Sequence, residues 1–275
     1  MHYVIGDIHG CYQAWIRLKN RIEKNDSDAR FILVGDIIDR GPQVIKTLRW
    51  TVKNITWGGK YQMIMGNHES EKIRWIRNIL KRADKDNYKK VLKEAVPDNY
   101  DFLDNIIFED IGLDELKEYL SFFEKLPLYK EIEVEATEGI KKKFIIVHAG
   151  IQEGMLDRND CIMPETFDKL YNCYEGYSLR MRTGREILLW SRNTDGYRGL
   201  DNTYVINGHT PTVTSMMLMA GAEPGKIFYA QNNINVDCGM VYYFFDKKDF
   251  PIAMKGNLAS YCLETGAEEY AYCRR

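Results

Sequence analysis

The chain has 275 residues, is 45% hydrophobic and 28% charged, and carries a formal net charge of −2. These values describe an ordinary globular protein with enough chain to bury a sizeable core. They exclude a strongly basic nucleic-acid binder by bulk charge, and no apolar run approaches the roughly 20 residues of a membrane span.

Taken in chain order, short apolar runs alternate with turns rich in Gly, Asp, His and Asn. The runs cover residues 3–5, 31–34, 61–65, 144–147 and 204–206. They lack polar alternation, so they read as strands buried on both faces. The first begins at once after Met1, with no secretory leader visible, which points to a cytoplasmic protein. After Gly10, Trp15, Leu18 and Ile22 share one helical face. Pro42 is placed to open a second helix at its first position, with Val44, Ile45, Leu48 and Val52 turned inward. After Glu69, Ile73, Ile76, Ile79 and Leu80 recur at helical spacing. Lys72, Arg74, Arg77, Lys81 and Arg82 form the other side of that helix, read as a solvated charged face.

Residues 84–126 read as an acidic, mostly helical insertion, with Leu113, Leu116, Leu120 and Phe123 inward and Pro127 as its stop. Residues 152–185 form a second variable stretch, and either could cap a site. Toward the C-terminus, residues 226–229, 236, 241–245 and 252–254 read as strands, where Tyr242 and Tyr243 fit by propensity. No internal repeat or boundary appears, so the expectation is one domain over 1–275 with insertions near 84–126 and 152–185. The six cysteines include no CxxC pair and read as free thiols.

The chemistry is concentrated at the ends of the predicted strands. Four of the five histidines stand in Gly6-Asp7-Ile8-His9-Gly10, Gly66-Asn67-His68-Glu69, His148-Ala149-Gly150 and Gly208-His209-Thr210-Pro211. A further block, running from Gly35 through Asp36, Asp39 and Arg40 to Pro42, adds two carboxylates and an arginine; only His2 falls outside. Loops at the C-terminal ends of strands are where open α/β sheets carry their sites. Imidazoles, a carboxamide oxygen and a shared carboxylate suit manganese, with iron or zinc as alternatives, better than magnesium or calcium. The expected ligands are Asp7, His9 and Asp36 for one ion, and Asp36, Asn67, His148 and His209 for a second, with Asp36 shared. Two ions ~3.5–4 Å apart activate a bridging water as hydroxide for in-line attack on a phosphoryl group. His68 is then the spare imidazole that protonates the leaving group, oriented by Asp39. Arg40 and Arg192 would clamp phosphate oxygens, with Arg198 in reserve for the second position. Asp237 in Asp237-Cys238-Gly239 is either an outer partner of this site or a turn residue.

In these residues the chain resembles the metallophosphoesterases, and within them the phosphoprotein phosphatases, whose pattern GDxHG, GDxxDRG, GNHE, HAG and GH stands here unbroken. The resemblance implies a calcineurin-like β-sandwich flanked by helices (αββα, α/β class) with a dinuclear site at one edge of the sheets. It supports the same ligand roles. The Trp190-Ser191-Arg192 stretch is similar to the bacterial and bacteriophage protein phosphatases, where an arginine after that tryptophan contacts phosphate. Symmetrical diadenosine tetraphosphate hydrolases share most blocks. They often lack an aspartate at the position of Asp39 and often carry an aromatic residue after the final GH, so Asp39 and Thr210-Pro211 favour the protein-phosphatase branch. The expected activity is a phosphoserine/phosphothreonine phosphatase, with phosphotyrosine as a further substrate, using two divalent ions. The alternatives are a dinucleoside tetraphosphate hydrolase, an RNA-repair-type 2',3'-phosphatase, or an inactive phosphate-binding regulator. The expected partner is a phosphorylated protein or a small phosphoester.

Overall fold

The structure, a computed structural model, describes residues 1–95, 111–137, 139–151, 184–197, 201–244 and 255–272. The apolar runs form parallel strands of two mixed five-stranded sheets. In the first, β1 (His2–Ile5), β2 (Arg30–Leu33) and β3 (Tyr61–Met63) run parallel. The antiparallel strands β9 (Leu258–Cys262) and β10 (Glu268–Ala271) complete the order β10-β9-β1-β2-β3. In the second, β5 (Lys141–Val147), β6 (Thr203–Asn207) and β8 (Asn233–Asn235) run parallel. β4 (Tyr129–Glu135) and β7 (Phe228–Ala230) are its antiparallel edges, in the order β4-β5-β6-β8-β7.

The absence of alternation in the central strands now has its cause. Val4, Ile32, Phe144, Ile146, Ile206 and Ile234 pack in one cluster drawn from both sheets. Their neighbours Tyr3, Ile5, Phe31 and Leu33 point the other way, into a second cluster with the helices. Successive side chains of a strand face opposite sides, so a strand covered on both must be apolar throughout.

Helix α1 (Tyr12–Asn25) buries Trp15, Leu18 and Ile22 as its spacing predicts. Helix α2 (Val44–Asn54) buries Val44 and Leu48, while Ile45 and Val52 are only partly covered. Pro42 is not its first residue. Gln43 precedes the helix and donates its N–H to Gly10 O at 2.9 Å, which ties the turn to the first loop before the helix begins. Helix α3 (Asn67–Arg82) buries Ile73, Ile76 and Ile79. Its basic face is not uniformly solvated: Arg77 and Arg82 pair with Glu124 and Glu94, but Lys72 is buried at 7% exposure.

Helices α4 (Tyr88–Ala95) and α5 (Leu113–Phe123) belong to the expected insertion, and α5 turns Leu116, Tyr119 and Phe123 inward. Helix α6 (Gly184–Trp190) follows the second variable stretch, whose residues 152–183 lie outside the described ones. A short helix α7 (Ser215–Met219) follows β6.

Of the strand expected over 241–245, residues 241–244 form no strand, and residue 245 lies outside the described ones. Met240–Phe244 is a 3-10 helix, because Gly239 turns the chain at φ +71° and Gly239 O accepts the Tyr242 N–H at 3.0 Å. The neighbouring β8 is already paired on both edges, by β6 and β7. The strand expected at 252–254 lies outside the described residues. Among the described residues, no helix is long and apolar enough to cross a membrane.

Candidate metal centre

Every motif lies just beyond the C-terminal end of a parallel strand. β1 leads to Asp7 and His9, β2 to Asp36, Asp39 and Arg40, and β3 to Asn67 and His68 at the start of α3. β5 leads to His148, β6 to His209 and β8 to Asp237. The loops are sharply bent: His9, Asp36, Asp39, Arg40 and His209 all have positive φ, between 42° and 67°. Non-glycine residues take that conformation at a cost of order 1 kcal/mol each, so the surroundings must impose it. Two glycines show the tightness. Gly35 turns at φ +99° where a Cβ would lie 2.5 Å from Gly66 N, and a Cβ on Gly208 would lie 2.1 Å from Asp7 Oδ1.

A buried carboxylate locks the first-sheet loops together. Glu69 is fully buried; its Oε2 accepts the N–H groups of Asp36 (2.8 Å) and Gly66 (3.0 Å), and its Oε1 accepts that of Ile37 (3.0 Å). Burial, then the charge of Asp36, pushes its carboxyl up to about 7. The α3 N-terminus holds Asp36 itself, with the His68 N–H donated to Asp36 Oδ1 at 3.0 Å.

The other Asp36 oxygen is the hub. Asp36 Oδ2 lies 3.6 Å from His9 Nε2, 3.4 Å from His148 Nε2 and 3.8 Å from His68 Nε2. Asn67 Oδ1 lies 2.8 Å from His148 Nε2 and 3.0 Å from His209 Nδ1. Asp7 Oδ2 accepts the His209 N–H at 3.0 Å, joining the first loop to the last. His9, Asp36 and His68 bring one donor atom each within 4.8 Å of one another, and so do Asp36, His148 and His209.

This donor set fits divalent ions. His9 Nδ1 and His148 Nδ1 each lie 2.8 Å from a backbone carbonyl, of Ile38 and Val34. A proton on each Nδ1 leaves Nε2 as a lone pair, and those lone pairs converge on carboxylate and carboxamide oxygens. Asp7 Oδ1, His209 Nε2 and Asp237 Oδ2 are buried without a hydrogen-bond partner. The lone pairs that converge on Asp36 Oδ2 and Asn67 Oδ1 repel one another unless a cation lies between them.

The electrostatics pair the histidines: His148 is raised against its burial by Asp36, as His68 is, while His9 and His209 are lowered. Burial lowers the His68 pKa, but the charge of Asp36 and the bond to Asp39 more than reverse this, so it is raised. Its Nδ1 lies 2.7 Å from Asp39 Oδ2. His9 and His209 are held well below the usual value, by burial first, then by Arg40 for His9 and by His148 and Arg192 for His209. Asp36 is held well below the usual carboxylate range because His148 and His68 outweigh its burial. Asp7 is pushed well up by burial and by Asp237 and Asp36; Asp237 is pushed up to about 6, chiefly by burial.

Above this cluster opens a cavity of about 340 Å³ lined by Asp36, Asn67 and His209 and by both Arg40 and Arg192. Arg40 Nη1 lies 3.0 Å from His9 Nε2, and Arg192 Nη1 lies 3.4 Å from Thr210 Oγ1. Arg198 lies outside the described residues. The sequence reading named Trp190 and Tyr242 without a role; both line this cavity. It also gave no task to Glu69 and turned Lys72 outward. A signal for Lys72 was present, since it stands four residues after His68 and so on the same helical face.

The sequence model of the calcineurin-like phosphoesterases matches residues 3–213. The chain belongs to this family. The chain is 31% identical over 149 residues to the symmetrical bis(5'-nucleosyl)-tetraphosphatase of Klebsiella pneumoniae (strain 342), covering 54% of this chain and 43% of that protein. The match thus spans less than half the length of that relative. It is 25% identical over 262 residues to the asymmetrical bis(5'-nucleosyl)-tetraphosphatase PrpE of Oceanobacillus iheyensis, covering 90% of this chain and 89% of that one. Among solved structures, a serine/threonine phosphatase from Saccharomyces cerevisiae superposes with a TM-score of 0.52 at 13% identity, covering 100% of this chain and 80% of the other. At that identity the likeness establishes the fold alone.

Proposed function

We propose that this phosphoesterase hydrolyses a dinucleoside tetraphosphate at a site holding two divalent ions, manganese being the best match to the donors. Asp7, His9 and Asp36 would hold the first ion, and Asp36, Asn67, His148 and His209 the second. Bound there, the ions supply an activated water and neutralise charge on the phosphoryl group. Arg40 and Arg192 orient the phosphate oxygens from the cavity wall, a task suited to planar guanidinium groups. His68 donates a proton to the leaving oxygen, and Asp39 holds the imidazole for it.

One observation carries the substrate. A relative that aligns along nearly the whole chain is named as a bis(5'-nucleosyl)-tetraphosphatase. The cavity agrees with it, because Trp190, Tyr242 and Met216 line it together with the two arginines. Aromatic faces suit a nucleobase and arginines suit a phosphate chain. The test is a comparison of kcat/KM on diadenosine tetraphosphate and on a phosphopeptide panel, with manganese and with the nucleotide products identified. The reading expects the dinucleotide to be preferred by about tenfold or more, a gap of ~1.4 kcal/mol in transition-state binding. Equal or reversed preference overturns it.

A phosphoprotein is the second reading, and the His68–Asp39 pair favours it. A proton donor matters most when the leaving group is a poor one such as a serine or threonine alkoxide, and less when it is a nucleotide phosphate.

A further inference from the structure

Asp39 is held from two sides. Its Oδ2 lies 2.7 Å from His68 Nδ1 and 3.0 Å from Lys72 Nζ. Lys72 is buried at 7% exposure, and Asp39 at 1%. His68 and Lys72 stand one turn apart on α3, so the helix presents imidazole and ammonium to a single oxygen. Burying an ammonium costs several kcal/mol unless a partner compensates it. An exposed position on the same helix would avoid that cost, as Arg77 and Arg82 do. Asp39 also stands in a strained loop at φ +65° that needs holding.

We propose that Lys72 is a positioning residue for proton donation: its ammonium anchors Asp39 Oδ2 so that His68 is held with Nε2 toward the Asp36 edge of the site. The inference rests on the reading of His68 as the proton donor. In that step the oxygen of the attacking water forms a new bond to phosphorus. The bond from phosphorus to the leaving oxygen breaks and leaves its electron pair on that oxygen. The oxygen takes the proton from His68 Nε2, and the proton lost by the water passes to solvent. Lys72 touches none of the reacting atoms. It acts through Asp39, setting the direction of the imidazole.

The distinguishing readout is dependence on the leaving group. Lys72→Met, Lys72→Gln and His68→Asn are compared on p-nitrophenyl and phenyl phosphate, or on the matching aryl esters of ADP where the monoesters turn over too slowly. His68→Asn is expected to lose far more rate on the phenyl ester than on the nitrophenyl ester. Lys72→Met is expected to follow it, with kcat down about tenfold more on the phenyl ester and with KM and bound manganese unchanged. Lys72→Gln keeps a donor to Asp39 without the charge and is expected to fall between; it carries the test if the methionine variant does not fold. A selective loss for His68→Asn with an even loss, or none, in the Lys72 variants overturns the inference alone. No selectivity in His68→Asn overturns the proton-donor reading and the inference with it.

Discussion

His68 and His209 are both buried imidazoles of one cluster, 5% and 7% exposed, yet their surroundings prepare them for opposite tasks. His68 is flanked by carboxylates, with Asp39 on its Nδ1 and Asp36 near its Nε2, and its pKa is raised. His209 is buried beside His148 and Arg192, and its pKa is held well below the usual value. One is supplied with anions that favour a proton, and the other with cations that favour a lone pair. The same contrast extends outward. On the His68 side, Asp39 Oδ2 is met by His68 Nδ1 and Lys72 Nζ and Glu69 accepts three backbone N–H groups, while Asp39 Oδ1 is buried without a hydrogen-bond partner. On the His209 side, Asp7, Asp237 and His209 each keep a buried atom without a partner.

The sharpest way to break this contrast is to remove one member from each side. Asp36→Asn weakens the hub of both expected ligand sets and should abolish turnover. His68→Asn should lower kcat by about 10²–10⁴-fold, the usual worth of a general acid. Steady-state kinetics with saturating manganese checks both. A His68 variant with near-normal kcat on every substrate would erase the distinction.

The next effect is on stability. Glu69→Ala strips three buried backbone N–H groups of their acceptor and is expected to cost about 3 kcal/mol or more, read from chemical denaturation. A loss under ~1 kcal/mol would mean that the loops hold themselves without it. Arg192→Ala should raise KM by about tenfold with kcat nearly unchanged, because it would remove binding common to ground and transition states. Unchanged kinetics would move that role to Arg198.

Much of this was legible in the sequence. Buried parallel strands need continuous apolar runs, and each run ended at a motif, so the central strands and the clustering of Asp7, His9, Asp36, Asn67, His68, His148 and His209 could be read together. Three antiparallel strands were not legible. β4 alternates Lys and Glu with apolar residues, β9 is short and rich in small side chains, and β10 begins with two glutamates. Antiparallel strands carry no continuous apolar run, and their signal is weak. Residues 241–244 carry strand-forming side chains, but the Gly239 turn and the full pairing of β8 override that propensity. The basic residues from Lys72 to Arg82 read as one solvated face, but Lys72 stands four residues after His68 and turns inward with it.

The smallest expected effect lies far from the site and gives a baseline for the others. Burial raises the Glu23 carboxyl, but bonds from Lys19, Tyr61 and Lys60 outweigh it and set it at about 2. Its folded pKa is below its unfolded value of 4.5, so the stabilisation is present above pH 4.5 and is lost as pH falls toward 2. With partly exposed partners it is worth about 1 kcal/mol or less. Glu23→Gln should therefore lower stability slightly at pH 7 and not at all near pH 2, while leaving kcat unchanged.

The most direct test of the division between the two histidines is a count of bound metal per chain, by elemental analysis of manganese-loaded protein, in the wild type, Asp36→Asn, His68→Asn and His209→Asn. The account predicts two ions in the wild type and in His68→Asn, and fewer in Asp36→Asn and His209→Asn. Loss of metal in His68→Asn matching that in His209→Asn would contradict it.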